Sequence, residues 1–127
     1  MSASSSHEFV IGNMADDLVN LTIRICGKKE DKAPRFPKNL YDGFVCRIYE
    51  TALDIHESVF IANETRPGER RADLQKNAAS KCVYLNHLIR ICADNGWISE
   101  KQRDTWQKLV SAIKWKTVAW IKSDEKR

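Results

Sequence analysis

Side chains that could do chemistry are few in this chain, and their spacing is wrong for most of it. His7, His56 and His87 are far apart, and none stands at the i, i+4 interval from another histidine or a cysteine that puts two metal ligands on one helical face. His56 and Glu57 are adjacent, so on a helix they point about 100° apart and do not converge. The sequence has no Glu-x-x-His, the element a di-metal helical bundle repeats on two helices. Cys26, Cys46, Cys82 and Cys92 lack CxxC spacing and fall within helical patterns. They read as buried or half-buried thiols, with a metal site as the minor alternative. Glu50, Asp54 and Glu57 share one polar helical face, which reads as a solvated surface before it reads as acid–base machinery. There is no glycine-rich phosphate loop, no nucleophile elbow and no supported Ser-x-x-Lys. The residues therefore argue against an enzyme and give no reason to expect a metal or another cofactor.

What remains is surface pattern. Toward the carboxyl end, Lys101, Lys108, Trp115 and Lys122 recur every seven residues, on the face opposite an apolar stripe. Lys76, Val83 and Arg90 repeat the same interval earlier, with Ser80 and His87 beside them. The overall charge of +4 is unevenly spread. Residues 1–65 hold 7 Lys and Arg against 10 Asp and Glu, net −3; residues 66–127 hold 14 against 7, net +7. A basic half on a small domain is either a solvated surface or the footprint of an acidic partner. For a nucleic acid, the candidate contacts are Arg66, Arg70, Arg71, Lys76, Arg90, Lys101, Lys108, Lys114, Lys116 and Lys122. In that case lysines neutralise phosphates and the Trp115 ring stacks on an unpaired base. The same pattern also suits a subunit interface anchored by Trp115, with lysine stems packed around it. A lone exposed tryptophan among solvated lysines is the third reading.

The elements that must position these residues are helices. Pro37 fixes its own φ and pushes Phe36 toward extended geometry, so a helix begins after it, with Asn39 as the expected N-cap. From there to Asn63, Tyr41, Phe44, Ile48, Ala52, Ile55, Val59 and Ala62 form one stripe. Tyr49, Leu53 and Phe60, with His56 among them, form a second row, leaving Arg47, Glu50, Asp54, Glu57 and Ser58 as the polar face. So wide an apolar arc predicts a helix covered on two sides, either the central helix of the bundle or one that also meets another subunit, for which Tyr49, Leu53 and Phe60 are the candidates. Before it, Met14, Leu18, Leu21 and Ile25 place a first helix at Asn13 to Cys26, stopped by Gly27. After it, Arg66-Pro67-Gly68 is a sharp turn into a third helix that ends at Asn95-Gly96. Its stripe is Leu74, Ala78, Cys82, Leu85, Ile89 and Cys92, widened by Leu88. Ser99 and Gln102 have capping-box spacing and open a fourth helix to Lys122 through Trp106, Leu109, Val110, Ile113, Thr117, Trp120 and Ile121. The pattern predicts an all-α, antiparallel up-down-up-down four-helix bundle over residues 8–122, between a disordered tail at 1–7 and a charged, frayed tail at 123–127. At 127 residues the chain suffices for one core; no apolar run reaches membrane-spanning length, and no secretory leader pattern opens it. The expectation is a cytoplasmic protein.

Several segments together resemble a known family. They are Arg35-Phe36-Pro37-Lys38-Asn39 before a long helix carrying Thr51-Ala52-Leu53-Asp54 and Ala62-Asn63, then Leu85-Asn86-His87-Leu88-Ile89-Arg90, then Ile98-Ser99-Glu100-Lys101-Gln102. In order and spacing, over about residues 13–122, they resemble the small bacterial four-helix-bundle proteins. That family includes proteins encoded in intervening sequences of large-subunit ribosomal RNA genes and the accessory variability determinant (Avd) of diversity-generating retroelements. The chain departs from the family at Ile113–Trp120, where a glycine-rich turn is usual before the last tryptophan. The resemblance implies a non-catalytic protein that assembles as a homopentameric barrel. It further implies binding to the element's reverse transcriptase and its template RNA, or to DNA or an RNA/DNA hybrid, in support of mutagenic cDNA synthesis. The alternative within the same family is an oligomeric protein-interaction module with no specific nucleic-acid role.

Overall fold

Each apolar stripe becomes one wall of a shared core. A computed structural model describes residues 9–29 and 32–126. Its helices are α1 (Val10–Cys26), α2 (Cys46–Asn63), α3 (Glu69–Asp94) and α4 (Glu100–Glu125), and no strand occurs among the described residues. α1 packs on α2, α2 on α3, α3 on α4, and α4 returns to α1. Cross-helix contacts fix the directions: Asp16 with His56, Ser58 with Asn77, and Arg71 with Asp124 each join the start of one helix to the end of its neighbour, or a middle to a middle. The result is the expected up-down-up-down four-helix bundle. Among the described residues no helix is long and apolar enough to cross a membrane. The tail expected at 1–7 lies outside the described residues.

The core is layered around Trp106, which is fully buried with Leu18, Ile55, Leu85 and Ile113. A buried indole needs a partner for its N–H. Trp106 Nε1 donates to Thr22 Oγ1 at 3.2 Å, and that hydroxyl donates to the Leu18 carbonyl at 2.7 Å, so α4 is tied to α1 through the core.

Two expectations about the second helix are corrected. It is not central, because the four helices form a ring in which each has two neighbours. Its second covered side is also not the Tyr49, Leu53 and Phe60 row alone. Thr51 and Ser58 are buried toward α3, although periodicity places Ser58 on the polar face. Small hydroxyls tolerate this position when bonded: Ser58 Oγ accepts from Asn77 Nδ2 at 2.8 Å, and Thr51 Oγ1 donates to the Arg47 carbonyl at 2.7 Å. Part of the Tyr49 row meets neighbours within the chain, although Leu53 and Phe60 both remain exposed. Tyr49 is half-buried near Gly27, and Phe60 is met edge-on by Phe9 at 5.7 Å and stacked by His56 at 4.7 Å. Gly12 makes room for this: a Cβ there would lie 2.5 Å from the Phe9 ring and 3.0 Å from Phe60. Leu53 stays half exposed.

Helix ends are legible to different degrees. At α4, Ser99 Oγ accepts from the Gln102 N–H at 3.0 Å and Gln102 Oε1 accepts from the Ser99 N–H at 2.9 Å, a complete capping box. At the end of α3, Gly96 takes φ +76°, with Gly96 N–H bonding Ala93 O and Trp97 N–H bonding Cys92 O, both at 3.0 Å. That is a Schellman motif, which requires a left-handed residue at this point. Asn39, by contrast, is no cap. It lies inside a 3-10 turn, Lys38–Leu40, followed by a π-helical turn, Tyr41–Val45, that leads into α2. The cause is tertiary: buried Phe36 donates its N–H to the Tyr41 hydroxyl at 3.3 Å and packs its ring on Tyr41 and Trp97, which fixes the entry to α2. α4 runs unbroken through Ile113–Trp120 and past Lys122 to Glu125, so residues 123–125 are helical and not a frayed tail.

The four thiols are free, and Cys26, Cys82 and Cys92 are buried, as expected from the sequence; Cys46 is exposed, which departs from it. Burial pushes the three core thiols up to about 12. They therefore stay protonated and unreactive at neutral pH. The expected result with a thiol-specific chromogenic reagent at pH 8 is one fast equivalent per native chain, abolished by Cys46→Ser, and the remaining three only in denaturant. Fast labelling of more than one thiol in the folded protein would contradict the burial described.

Candidate functional site

α3 and α4 are both 26 residues long and run antiparallel, so the two seven-residue recurrences read from the sequence come to lie side by side. Their register is set at two heights. Gln75 Nε2 donates to Asp124 Oδ2 at 2.9 Å, and Asn86 Nδ2 donates to Ser111 Oγ at 3.2 Å. In this register Lys76 stands opposite Lys122, Val83 opposite Trp115, and Arg90 opposite Lys108, with Lys101 one repeat beyond. All of these side chains are exposed, and Trp115 is the most exposed large apolar residue among those described, at 62%.

Between the two rows runs a groove of about 220 Å³. Val83, His87 and Arg90 line its α3 side; Lys114 and Trp115 line its α4 side. The floor is polar. Gln107 Nε2 donates to the Asn86 backbone carbonyl at 3.0 Å, and the Asn86 side chain reaches Ser111. Asn86 Oδ1 is shielded from solvent with no hydrogen-bond partner. The Lys114 ammonium lies 4.6 Å from the centre of the Trp115 ring, a cation–π contact that steadies the exposed indole.

The ten candidate cations do not form one surface. Arg90 and Lys114 line the groove and Lys76 lies further along the same α3–α4 seam, while Lys101, Lys108 and Lys122 are exposed on the face of α4 that carries Trp115. Arg70 faces the α2 side of α3 beside Asn77, Lys116 faces the α1 side of α4 beside Phe9, and Arg66 is in the turn between α2 and α3. Arg71 is committed elsewhere. Its Nε and Nη2 donate to the two Asp124 carboxylate oxygens at 2.8 and 3.0 Å, its Nη1 donates to the Thr65 carbonyl at 3.2 Å, and its guanidinium lies over the Trp120 ring at 4.9 Å. With both side chains only 12–13% exposed, this bidentate pair is a strut between α3 and α4, not a cation offered to a partner. Of the residues expected at an interface, Trp115, Leu53 and Phe60 are exposed, and Tyr49 is half-buried.

Sequence reasoning passes over Asn86, Gln107 and Ser111 as site residues. Their signal is nonetheless present: polar residues directly flanking the buried positions Leu85, Trp106 and Val110 on two helices expected to be neighbours. No group of three or more His, Cys, Asp or Glu side chains is placed to hold a metal among the described residues. The molecule is thus a four-helix bundle that carries a cationic groove with an exposed aromatic wall and a polar floor. The sequence matches no protein-family model and no curated protein.

Proposed function

We propose that this protein is a non-catalytic accessory factor of a diversity-generating retroelement. In this reading it binds the template RNA and the reverse transcriptase in the cytoplasm and acts as a homo-oligomer, the pentamer resting on the family resemblance alone. One observation carries the nucleic-acid part: Arg90 and Lys114 line the groove beside exposed Trp115, with Lys76 on the same seam and Lys101, Lys108 and Lys122 exposed on the Trp115 face of α4, all on the half of the chain that holds the net +7. Lysines at intervals of about two helical turns suit a phosphate backbone, and a bare indole suits an unpaired base.

The test is the double charge reversal Lys101→Glu with Lys108→Glu. Both sites are exposed, and an added carboxylate in the first turn of α4 complements the helix dipole, so folding stability is expected to move by no more than about 0.5 kcal/mol per site. Affinity for the template transcript is expected to fall sharply. The slope of log affinity against log salt should shrink by about one for each phosphate no longer neutralised. If affinity and slope both stay at the wild-type values, the nucleic-acid assignment fails and the protein-interaction module takes its place.

A further inference from the structure

We propose that the α3–α4 groove is a slot for a single unpaired nucleobase whose pairing edge carries an exocyclic amino group beside an unprotonated ring nitrogen, adenine or cytosine, within an RNA strand bound at the basic face. The proposal rests on the RNA-binding reading above and deepens it.

Three features of the groove point to this occupant. Its walls are unequal: the Trp115 indole is open to solvent on one side, and Val83, itself 41% exposed, stands opposite. The Lys114 ammonium engages part of the indole, and at 62% exposure the ring keeps surface open to a flat ligand. An aromatic platform facing a branched aliphatic side chain, in a groove of about 220 Å³, suits one base better than a protein side chain, which would need depth.

The floor sets the edge chemistry. Asn86 spends its amide N–H on Ser111 and its backbone carbonyl on Gln107, so Oδ1 is the acceptor left unpaired. A shielded acceptor without a donor is unfavourable and is relieved by a ligand that donates. The N6 amino group of adenine and the N4 amino group of cytosine project from the base edge and reach such a floor. The donor of uracil, N3–H, is recessed between two carbonyl oxygens that would be driven against Asn86 Oδ1. Beside the acceptor, the Ser111 hydroxyl supplies a donor for the adjacent ring nitrogen, N1 of adenine or N3 of cytosine, whereas guanine presents N1–H beside its amino group.

The rim supplies charge for the flanking backbone. Arg90 and Lys114 line the groove, and Lys76 lies further along the same seam, so phosphates flanking the inserted base meet cations. A hydrophobic peptide has no use for this ring of charge, which is why a nucleotide is favoured over a partner helix.

The experiment changes the ligand as well as the protein. Short single strands of adenylate, cytidylate and uridylate, and a strand with purine riboside in place of adenosine, are titrated against the full chain while tryptophan fluorescence is followed. Trp106 is buried and Trp97 and Trp120 are packed in aromatic clusters, so stacking on Trp115 dominates the quenching. The expected result is quenching by adenylate and cytidylate, with affinity about tenfold lower for uridylate and for the purine strand, which lacks only the amino group. Trp115→Ala is expected to remove the quenching and weaken binding about ten- to a hundredfold with the salt slope unchanged. Equal affinity for all four strands would overturn the amino-group readout, and salt-dependent binding that ignores Trp115→Ala would overturn the slot while sparing the RNA-binding reading. Loss of oligomer in Trp115→Ala without loss of RNA affinity would show that the groove seats a protein. An absence of salt-dependent binding to any strand would remove the RNA-binding reading itself.

Discussion

Trp106→Ala is expected to cost about 3–5 kcal/mol, the range for truncating a large buried aromatic, and so to consume roughly a fifth or more of a typical domain's stability. Trp106 is fully buried where α4 meets α1. Nothing nearby is free to collapse into the space, because its neighbours Leu18, Val110 and Ile113 are themselves buried members of the same packed cluster. The hydrogen bond to Thr22 adds little by itself, since Thr22 Oγ1 still donates to Leu18 O when the indole is gone. Trp106→Phe separates the two effects: it keeps most of the ring volume, loses the N–H, and should cost roughly 1–3 kcal/mol. Denaturant unfolding at constant m-value is the measurement. A loss below about 1 kcal/mol for Trp106→Ala would mean that the core is not built around this residue.

The second large effect is at the Arg71–Asp124 strut. Removing one partner of a nearly buried ion pair leaves the other charge desolvated, and the usual cost is about 3–5 kcal/mol. The pair keeps some exposure, 12% and 13%, so about 3 kcal/mol is expected for Arg71→Ala. Arg71→Met retains an aliphatic stem against Trp120 but removes the charge, and the difference between the two variants isolates the stacking contribution. Because the guanidinium is already bound by Asp124, Arg71→Met is also expected to leave RNA affinity unchanged, unlike reversal of Lys101 and Lys108. Unfolding curves that place Arg71→Met level with the wild type would show that the ion pair contributes nothing. A large loss of RNA affinity in that variant would return Arg71 to the proposed nucleic-acid surface.

These two residues also show what a sequence can and cannot reveal. Trp106 sits on an unbroken helical stripe, and periodicity alone marks it as core. Ser99 and Gln102, or Asn95 and Gly96, are equally legible, because capping is settled by neighbours within a few residues. Arg71 groups with the surface cations in sequence because its partner lies 53 residues away, and no local pattern connects the two. Asn39 misleads for a related reason: its capping propensity is local, whereas the entry to α2 is dictated by Phe36 packing against Trp97 from the far side of the α3–α4 turn. Ser58 shows the limit of polarity as a guide, since a hydroxyl with a bonded partner buries as readily as alanine. In the groove, Trp115 and the lysines are readable one helix at a time. The floor of Asn86, Gln107 and Ser111 exists only once α3 and α4 are in register.

The contact that closes the ring, Phe9 against Trp120 at 5.6 Å, gives the molecule a circular connectivity. An even number of antiparallel helices returns the chain to its starting pole, so the amino end of α1 and the carboxyl end of α4 sit side by side. Three seams between neighbouring helices are bridged by a connection in the chain, and the fourth is held by side chains alone, the Phe9–Trp120 contact and the Trp106–Thr22 hydrogen bond among them. A linker joining the two ends, with a new opening at the Arg66-Pro67-Gly68 turn or at Asn95-Gly96, permutes the order of the helices without parting any packed pair. The α3–α4 groove survives the first opening with its own loop intact, and after the second it would be held by side chains alone.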